Sequence, residues 1–127
     1  MSPRAEFDAL LRRLYAARAA GKLEELCALF APHASFEISG ASRAKPVAIR
    51  ASGVTQYKPW LTLLLKTFRL HDLTLVSIII DGDSAAVHWR ADILSKITGA
   101  VVPTELIDLI KLDDGRIVSY FEMFNDR

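Results

Sequence analysis

A single cysteine, Cys27, rules out an internal disulfide in this chain of 127 residues. It falls within an apolar helical pattern, so a buried and inert thiol is expected. Lysine and arginine never form a run, and 16 basic residues against 15 acidic ones leave a net charge of +1. Nucleic acid and anionic membranes both require a basic surface, so neither is expected as a main partner. The longest apolar runs, near residues 60–65 and 76–80, are far too short to span a bilayer. The opening MSPRAEFDAL carries Glu6 and Asp8 and no apolar stretch of signal-peptide length. A soluble, cytoplasmic protein is the expectation. The three histidines, His33, His71 and His88, lack the spacing of metal ligands, and no metal is expected. No phosphate loop, nucleophile elbow or Cys–His motif is present, and no cofactor is expected. What the chain has is apolar residues, 51% against 24% charged, enough to build the core of one domain over 1–127.

The apolar residues change period along the chain. Ser2-Pro3 reads as a helix cap followed by proline in the first turn, and Phe7, Leu10, Leu11 and Leu14 follow at helical spacing up to the Ala20-Gly21 stop. A second, short helix is expected over 23–30, with Leu26, Leu29 and Phe30 buried and Pro32 ending it. Residues 34–38 read as a short strand and 39–52 as a polar loop. A third helix is expected over 55–68, with Tyr57, Trp60, Leu61, Leu64 and Leu65 apolar. Pro59 suits only a first turn, which moves the expected start to Lys58. From there on the pattern is β: strands over 70–80, 84–97, 101–112 and 116–124, joined by Asp81-Gly82-Asp83, Thr98-Gly99 and Asp113-Asp114-Gly115 turns. Helices followed by an antiparallel meander predict an α+β fold, with helices on one face of a curved sheet and a cavity between the layers.

Three segments carry a family resemblance: AAG at 19–21, LFAPHASFE at 29–37 and DDGRIVSYFEMFN at 113–125. Together with the long hairpins they resemble the NTF2-like superfamily, which includes ketosteroid isomerases, SnoaL-type polyketide cyclases and limonene-epoxide hydrolases. The resemblance implies a cone-shaped fold of three helices on a strongly bent, mostly antiparallel sheet around one apolar pocket. It implies a small apolar, polyketide- or terpenoid-like ligand and a homodimer. It also implies a strand phase, in which Thr104, Leu106, Asp108 and Ile110 face inward, as do Val118, Tyr120, Glu122 and Phe124. The same phase turns Ala86, His88, Arg90, Asp92 and Leu94 inward, and leaves Trp89, Ala91 and Ile93 on an apolar outer face suited to dimerisation.

The stretch HWRADIL at 88–94 then resembles the Arg-x-Asp of the limonene-epoxide hydrolases. The resemblance implies Asp92 as acid, Glu122 as base and Arg90 as the bridge between them, since a planar guanidinium can orient two carboxylates. That family holds its water with a tyrosine and an asparagine, and this chain has Phe36 and Ile38 at the matching positions. The ketosteroid isomerases keep a protonated aspartic acid where Asp108 falls, but their general base matches Ile38 and their helical tyrosine matches Leu14, with Tyr15 one position away. Their chemistry requires another carboxylate as base. Tyr15, Phe36, Trp60, His88, Tyr120 and Phe124 are the expected pocket lining. Cofactor-independent acid/base catalysis, as hydrolase, isomerase or cyclase, is the leading expectation. A binding protein without chemistry is the alternative.

Overall fold

The structure, a computed structural model, describes residues 2–42 and 45–126. Helix α1 spans Pro3–Ala20 and begins as its sequence dictates: the Ser2 hydroxyl accepts from the Ala5 N–H at 3.1 Å, and Pro3 occupies the first turn. Gly21, left-handed at φ 70°, ends it. Its buried stripe is Phe7, Leu10, Leu11, Leu14, Tyr15 and Ala17. Helix α2, Leu23–Cys27, is shorter than expected. Phe30 and Pro32 belong instead to strand β1, Phe30–Ser42. Pro32 is tolerated there because the β1 ladder shifts register between Phe30 and Ser35, where no N–H is required of it.

The stretch expected to be a polar loop is mostly strand. The end of β1 pairs antiparallel with β2, Lys45–Ser52, with Ile38 opposite Ile49 and Gly40 opposite Val47. Residues 43–44 of that stretch lie outside the described residues. Polar and small residues obscured a hairpin whose inward positions are apolar. Helix α3 spans Val54–Thr67, so it starts four residues before Lys58 and contains Pro59 in its interior. Pro59 has no N–H to return to the carbonyl of Thr55, a loss the helix tolerates because Tyr57 and Leu61 anchor it in the core. Strands β3 (Phe68–Asp81), β4 (Ser84–Ser95), β5 (Val101–Asp113) and β6 (Arg116–Asp126) complete the chain.

The six strands form one curved sheet in the order β2-β1-β6-β5-β4-β3. All neighbours are antiparallel except β1 and β6, which run parallel. The helices cover the concave face, and the core lies between the two layers. Strand β5 has the expected phase, with Thr104, Leu106, Asp108 and Ile110 buried, and β6 has it at Tyr120 and Glu122; at the start of β6, beside the register shift at Lys111/Leu112, Ile117 is buried and Val118 only half-buried. Strand β4 has the opposite phase. Ala85, Val87, Trp89 and Ala91 are the buried positions, and they pair in register with Ile110, Asp108, Leu106 and Thr104. His88, Arg90 and Asp92 therefore occupy the outer face, because a shift of one residue in a strand exchanges its two sides. Trp89, Ala91 and Ile93 do not form an outer apolar face. Among the described residues, no helix is long and apolar enough to cross a membrane.

Candidate active site

A cavity of about 410 Å³ opens between α3, β1, β2 and the ends of β4, β5 and β6. Its walls are apolar: Leu26, Ile38, Ile49, Leu61, Leu64, Leu106 and Phe124 are typical. Ser95, Thr98 and Thr104 add hydroxyl-bearing side chains. Among the described residues, Arg18 and Glu122 are its two ionisable lining groups. Gly40 shapes one wall, since a Cβ there would fall 2.6 Å from the Phe124 ring.

Arg18 reaches the cavity from the last turn of α1, on the helical stripe that carries Leu11, Leu14 and Tyr15. Positions spaced three or four apart on a helix share a face. Its guanidinium donates to Glu122 Oε1 and, at 2.8 Å, to the Tyr120 hydroxyl. It also lies over the Trp89 ring, 4.9 Å from the centroid. The side chains of Arg18 and Glu122 are only 14% and 5% exposed, so this pair is largely withdrawn from water. Glu122 sits directly across β1 from Ile38 and across β5 from Asp108.

Behind this pair lies a second, deeper group. Asp108 Oδ2 accepts from the Tyr15 hydroxyl at 2.6 Å and the Trp89 indole N–H at 3.0 Å, and it shares a hydrogen bond with the Tyr120 hydroxyl. Among the described residues, Asp108 Oδ1 is buried and has no hydrogen-bond partner. Burial, and next the negative charge of Glu122, hold the Asp108 carboxyl well above the usual carboxylate range, against the pull of Arg18 and the two tyrosines. Burial first, then Asp108, raises the Tyr15 and Tyr120 hydroxyls as well. One arginine stands beside two carboxyl groups, and burial disfavours the charged form of Asp108.

This state has a measurable consequence. The unfolded chain loses the Asp108 proton near about pH 4, whereas the folded chain holds it to higher pH. The unfolded state then binds fewer protons, so the contribution of Asp108 to stability falls as pH rises from that value through the raised folded value. Asparagine does not ionise. The stability of Asp108→Asn relative to wild type is therefore expected to improve as pH rises from about 4 to about 8. A difference that stays constant in thermal unfolding over that range would contradict the neutral carboxyl.

Of the residues expected at the site, Tyr15, Asp108, Tyr120 and Glu122 come together. Phe36 stacks on Tyr120 at 5.6 Å between centroids, behind the cavity wall, and Phe124 lines the wall. Trp60 does not; it is 37% exposed on α3. His88, Arg90 and Asp92 lie on the far side of the sheet. There His88 Nε2 meets Glu105 Oε1, and Arg90 Nε donates to Glu105 Oε2 at 2.9 Å. His88, followed by Arg90, holds the Glu105 carboxyl below the usual range. Arg90 and Asp92 thus do not share a pocket with Glu122. Arg18 and Trp89 were the functional side chains missed. The signal for Arg18 was its place on the apolar stripe of α1.

Residues 11–120 match the SnoaL-like domain family. No curated protein matches the chain in sequence. Among solved structures, a Bacillus subtilis protein described as a candidate isomerase superposes with a TM-score of 0.84 at 22% identity, over 98% of this chain and 90% of that one. A Rhodopseudomonas palustris protein with the same description gives 0.78 at 17%, over 94% and 89%. An M. tuberculosis epoxide hydrolase of the LEH-like type gives 0.76 at 16%, over 95% and 84%. At such identities these likenesses speak for the fold alone. The family match covers most of the chain, and with the curved sheet and its helical cover it decides the classification: this chain belongs to the SnoaL-like family of the NTF2-like superfamily.

Proposed function

We infer that the protein transfers a proton on a small apolar substrate that carries a carbonyl group. The observation behind this reading is Glu122: a carboxylate on the wall of an apolar cavity, paired with Arg18, directly opposite Ile38. The resemblance to ketosteroid isomerases left the position of Ile38 without a base. Glu122 supplies one from the neighbouring strand. The likeness to two candidate isomerases agrees with this reading.

The chemistry follows from charge. A substrate C–H next to a carbonyl gives its proton to Glu122, and negative charge moves to the carbonyl oxygen. As Glu122 becomes neutral, its hold on the guanidinium weakens, and Arg18 serves as counter-ion to the new oxyanion. The cavity holds one positive and one negative charge before and after the step. Its apolar walls keep water away and strengthen that attraction. Return of the proton to a different carbon gives an isomer; attack of the carbanion on a second carbonyl gives a ring. A cavity of 410 Å³ lies toward the small end of ligand pockets, which suits a compact substrate. Epoxide opening is less well served. It needs an acid at the epoxide oxygen, and Asp92, the residue cast in that role, lies across the sheet.

The test is a panel of small cyclic β,γ-unsaturated ketones beside small epoxides. Wild type is expected to form conjugated ketone, seen by its ultraviolet absorbance, and no diol. Diol without isomerisation would restore the hydrolase reading. Saturable binding with no turnover would favour the second reading, a binding protein, which the mutual pairing of Arg18 and Glu122 also suits.

We extend the proposal to a homodimer formed through the outer sheet face. The support is a patch on β5 and β6 where Ile107, Leu109 and Met123 are 42%, 45% and 37% exposed. Leu109→Lys is expected to convert dimer to monomer in sedimentation. A wild type that sediments as a monomer overturns this assembly.

A further inference from the structure

Asp108 takes no part in the reaction proposed above. It is fully buried and lies behind the cavity wall. Its hydrogen bonds nonetheless lead to Glu122. The two residues pair in register across β5 and β6, and the Tyr120 hydroxyl stands between them, bonded to Asp108 Oδ2 and 3.3 Å from Glu122 Oε1.

Tyr120 has one proton to give, and two carboxyl groups can receive it. With Asp108 ionised, the proton would go to Asp108, and Oδ1 would carry buried negative charge with no hydrogen bond from any described residue. With Asp108 neutral, Oδ1 is an unpaired carbonyl oxygen and not an unpaired charge, which costs far less. The acid proton on Oδ2 then goes to the Tyr120 oxygen, which also accepts from Arg18, and the phenol proton is left for Glu122. Oδ2 still accepts from Tyr15 and Trp89. In this arrangement the Tyr120 oxygen donates once and accepts twice, its full capacity. The groups that face Asp108 are Tyr15 and Arg18 from α1, Trp89 from β4, and Tyr120 and Glu122 from β6.

We propose that Asp108 is a positioning residue that, by staying neutral, turns the Tyr120 hydroxyl toward Glu122. Arg18 and Tyr120 then both occupy Oε1, and the second carboxylate oxygen of Glu122 is left to meet the substrate. The direction of this network differs from that of an oxyanion donor, since Asp108 supports the base and does not touch the ligand. The inference rests on the assignment of Glu122 as base, and two separate measurements keep them apart.

The first needs no turnover. In carbon-13 carboxyl spectra of the wild type, with Asp108 assigned by its loss in Asp108→Asn, the Asp108 carbon is expected to be that of a neutral acid at pH 7. An ionised carbon overturns the proposal, whatever the enzyme does. The second is the pH profile of kcat/KM. In Asp108→Asn the amide oxygen accepts from Tyr15, Trp89 and Tyr120, so Glu122 loses the phenol proton. Tyr120→Phe removes the same bond. Each variant is expected to move the acid limb upward by about one pH unit, the effect of one lost hydrogen bond to a charged acceptor. The double variant is expected to move it no further. An unmoved limb in Asp108→Asn, or additive shifts in the double variant, overturns the proposal. If Asp108 is neutral but Glu122→Gln keeps full activity, the base assignment fails and the neutral network stands. If Glu122→Gln is inactive but Asp108 is ionised, the reverse holds.

Discussion

Glu122→Gln is expected to lower kcat by about 10² to 10⁴ and to leave ligand affinity within about threefold, because a positioned general base contributes to the transition state and little to binding. Glutamine keeps the shape of the side chain and an acceptor for Arg18, so the cavity is preserved. It cannot take a proton from carbon. Inhibition constants for an apolar ketone that does not react would report affinity, and single-turnover rates would report chemistry. A variant that loses affinity and rate together would point to a collapsed cavity. A variant with wild-type rate would exclude Glu122 as the base.

Arg18→Met is expected to lower stability by roughly 3–5 kcal/mol, the usual range when one partner of a buried pair is removed. Glu122 then stays in an apolar cavity without its cation, and Tyr120 loses a donor. The double variant Arg18→Met/Glu122→Leu is expected to recover most of that loss, since a buried ion pair is often replaced by apolar groups at little cost. Urea unfolding of the two single variants and the double variant closes the cycle. A destabilisation below about 1 kcal/mol in Arg18→Met would mean that the pair behaves as a solvated surface bridge. The low exposure of both side chains argues otherwise. The pair therefore serves the site at some expense to the fold, because two charges are kept where apolar side chains would pack as well.

Much of the architecture was legible in the chain. The α1 boundaries follow from Ser2, Pro3 and Gly21, residues whose local chemistry permits little else. The β5 and β6 phases were legible only through the resemblance, because both faces of these strands carry apolar residues and alternation alone does not choose between them. The hairpin β1–β2 was not legible. Gly40, Ala41 and Ser42 give no β signal, and the pairing of Ile38 with Ile49 spans residues that local pattern does not connect.

The error in β4 has a different origin. Its even positions hold His88, Arg90 and Asp92, and its odd positions hold Ala85, Val87, Trp89 and Ala91. The elementary rule, apolar inward and charged outward, selects the observed phase. The resemblance of Arg-Ala-Asp to the hydrolase motif outweighed that rule and reversed every side chain of the strand. Arg18 was missed for a related reason. Arginine near a helix end reads as a solvated residue, yet position 18 continues the buried stripe, and its partners Tyr120 and Glu122 lie more than 100 residues away in sequence. Only the closed fold brings them together. Trp89 illustrates the same limit, because its indole N–H required a buried acceptor and Asp108 provides it.

The central claim is that chemistry resides on the inner face at Glu122 and not on the outer face at Asp92. Deuterium uptake from heavy water into the carbon next to the carbonyl of a bound ketone tests it most directly, with wild type, Glu122→Gln and Asp92→Asn compared side by side. The account predicts uptake by the wild type, the same rate within about twofold for Asp92→Asn, and a loss of at least about 100-fold for Glu122→Gln. Uptake that survives in Glu122→Gln and disappears in Asp92→Asn would contradict it.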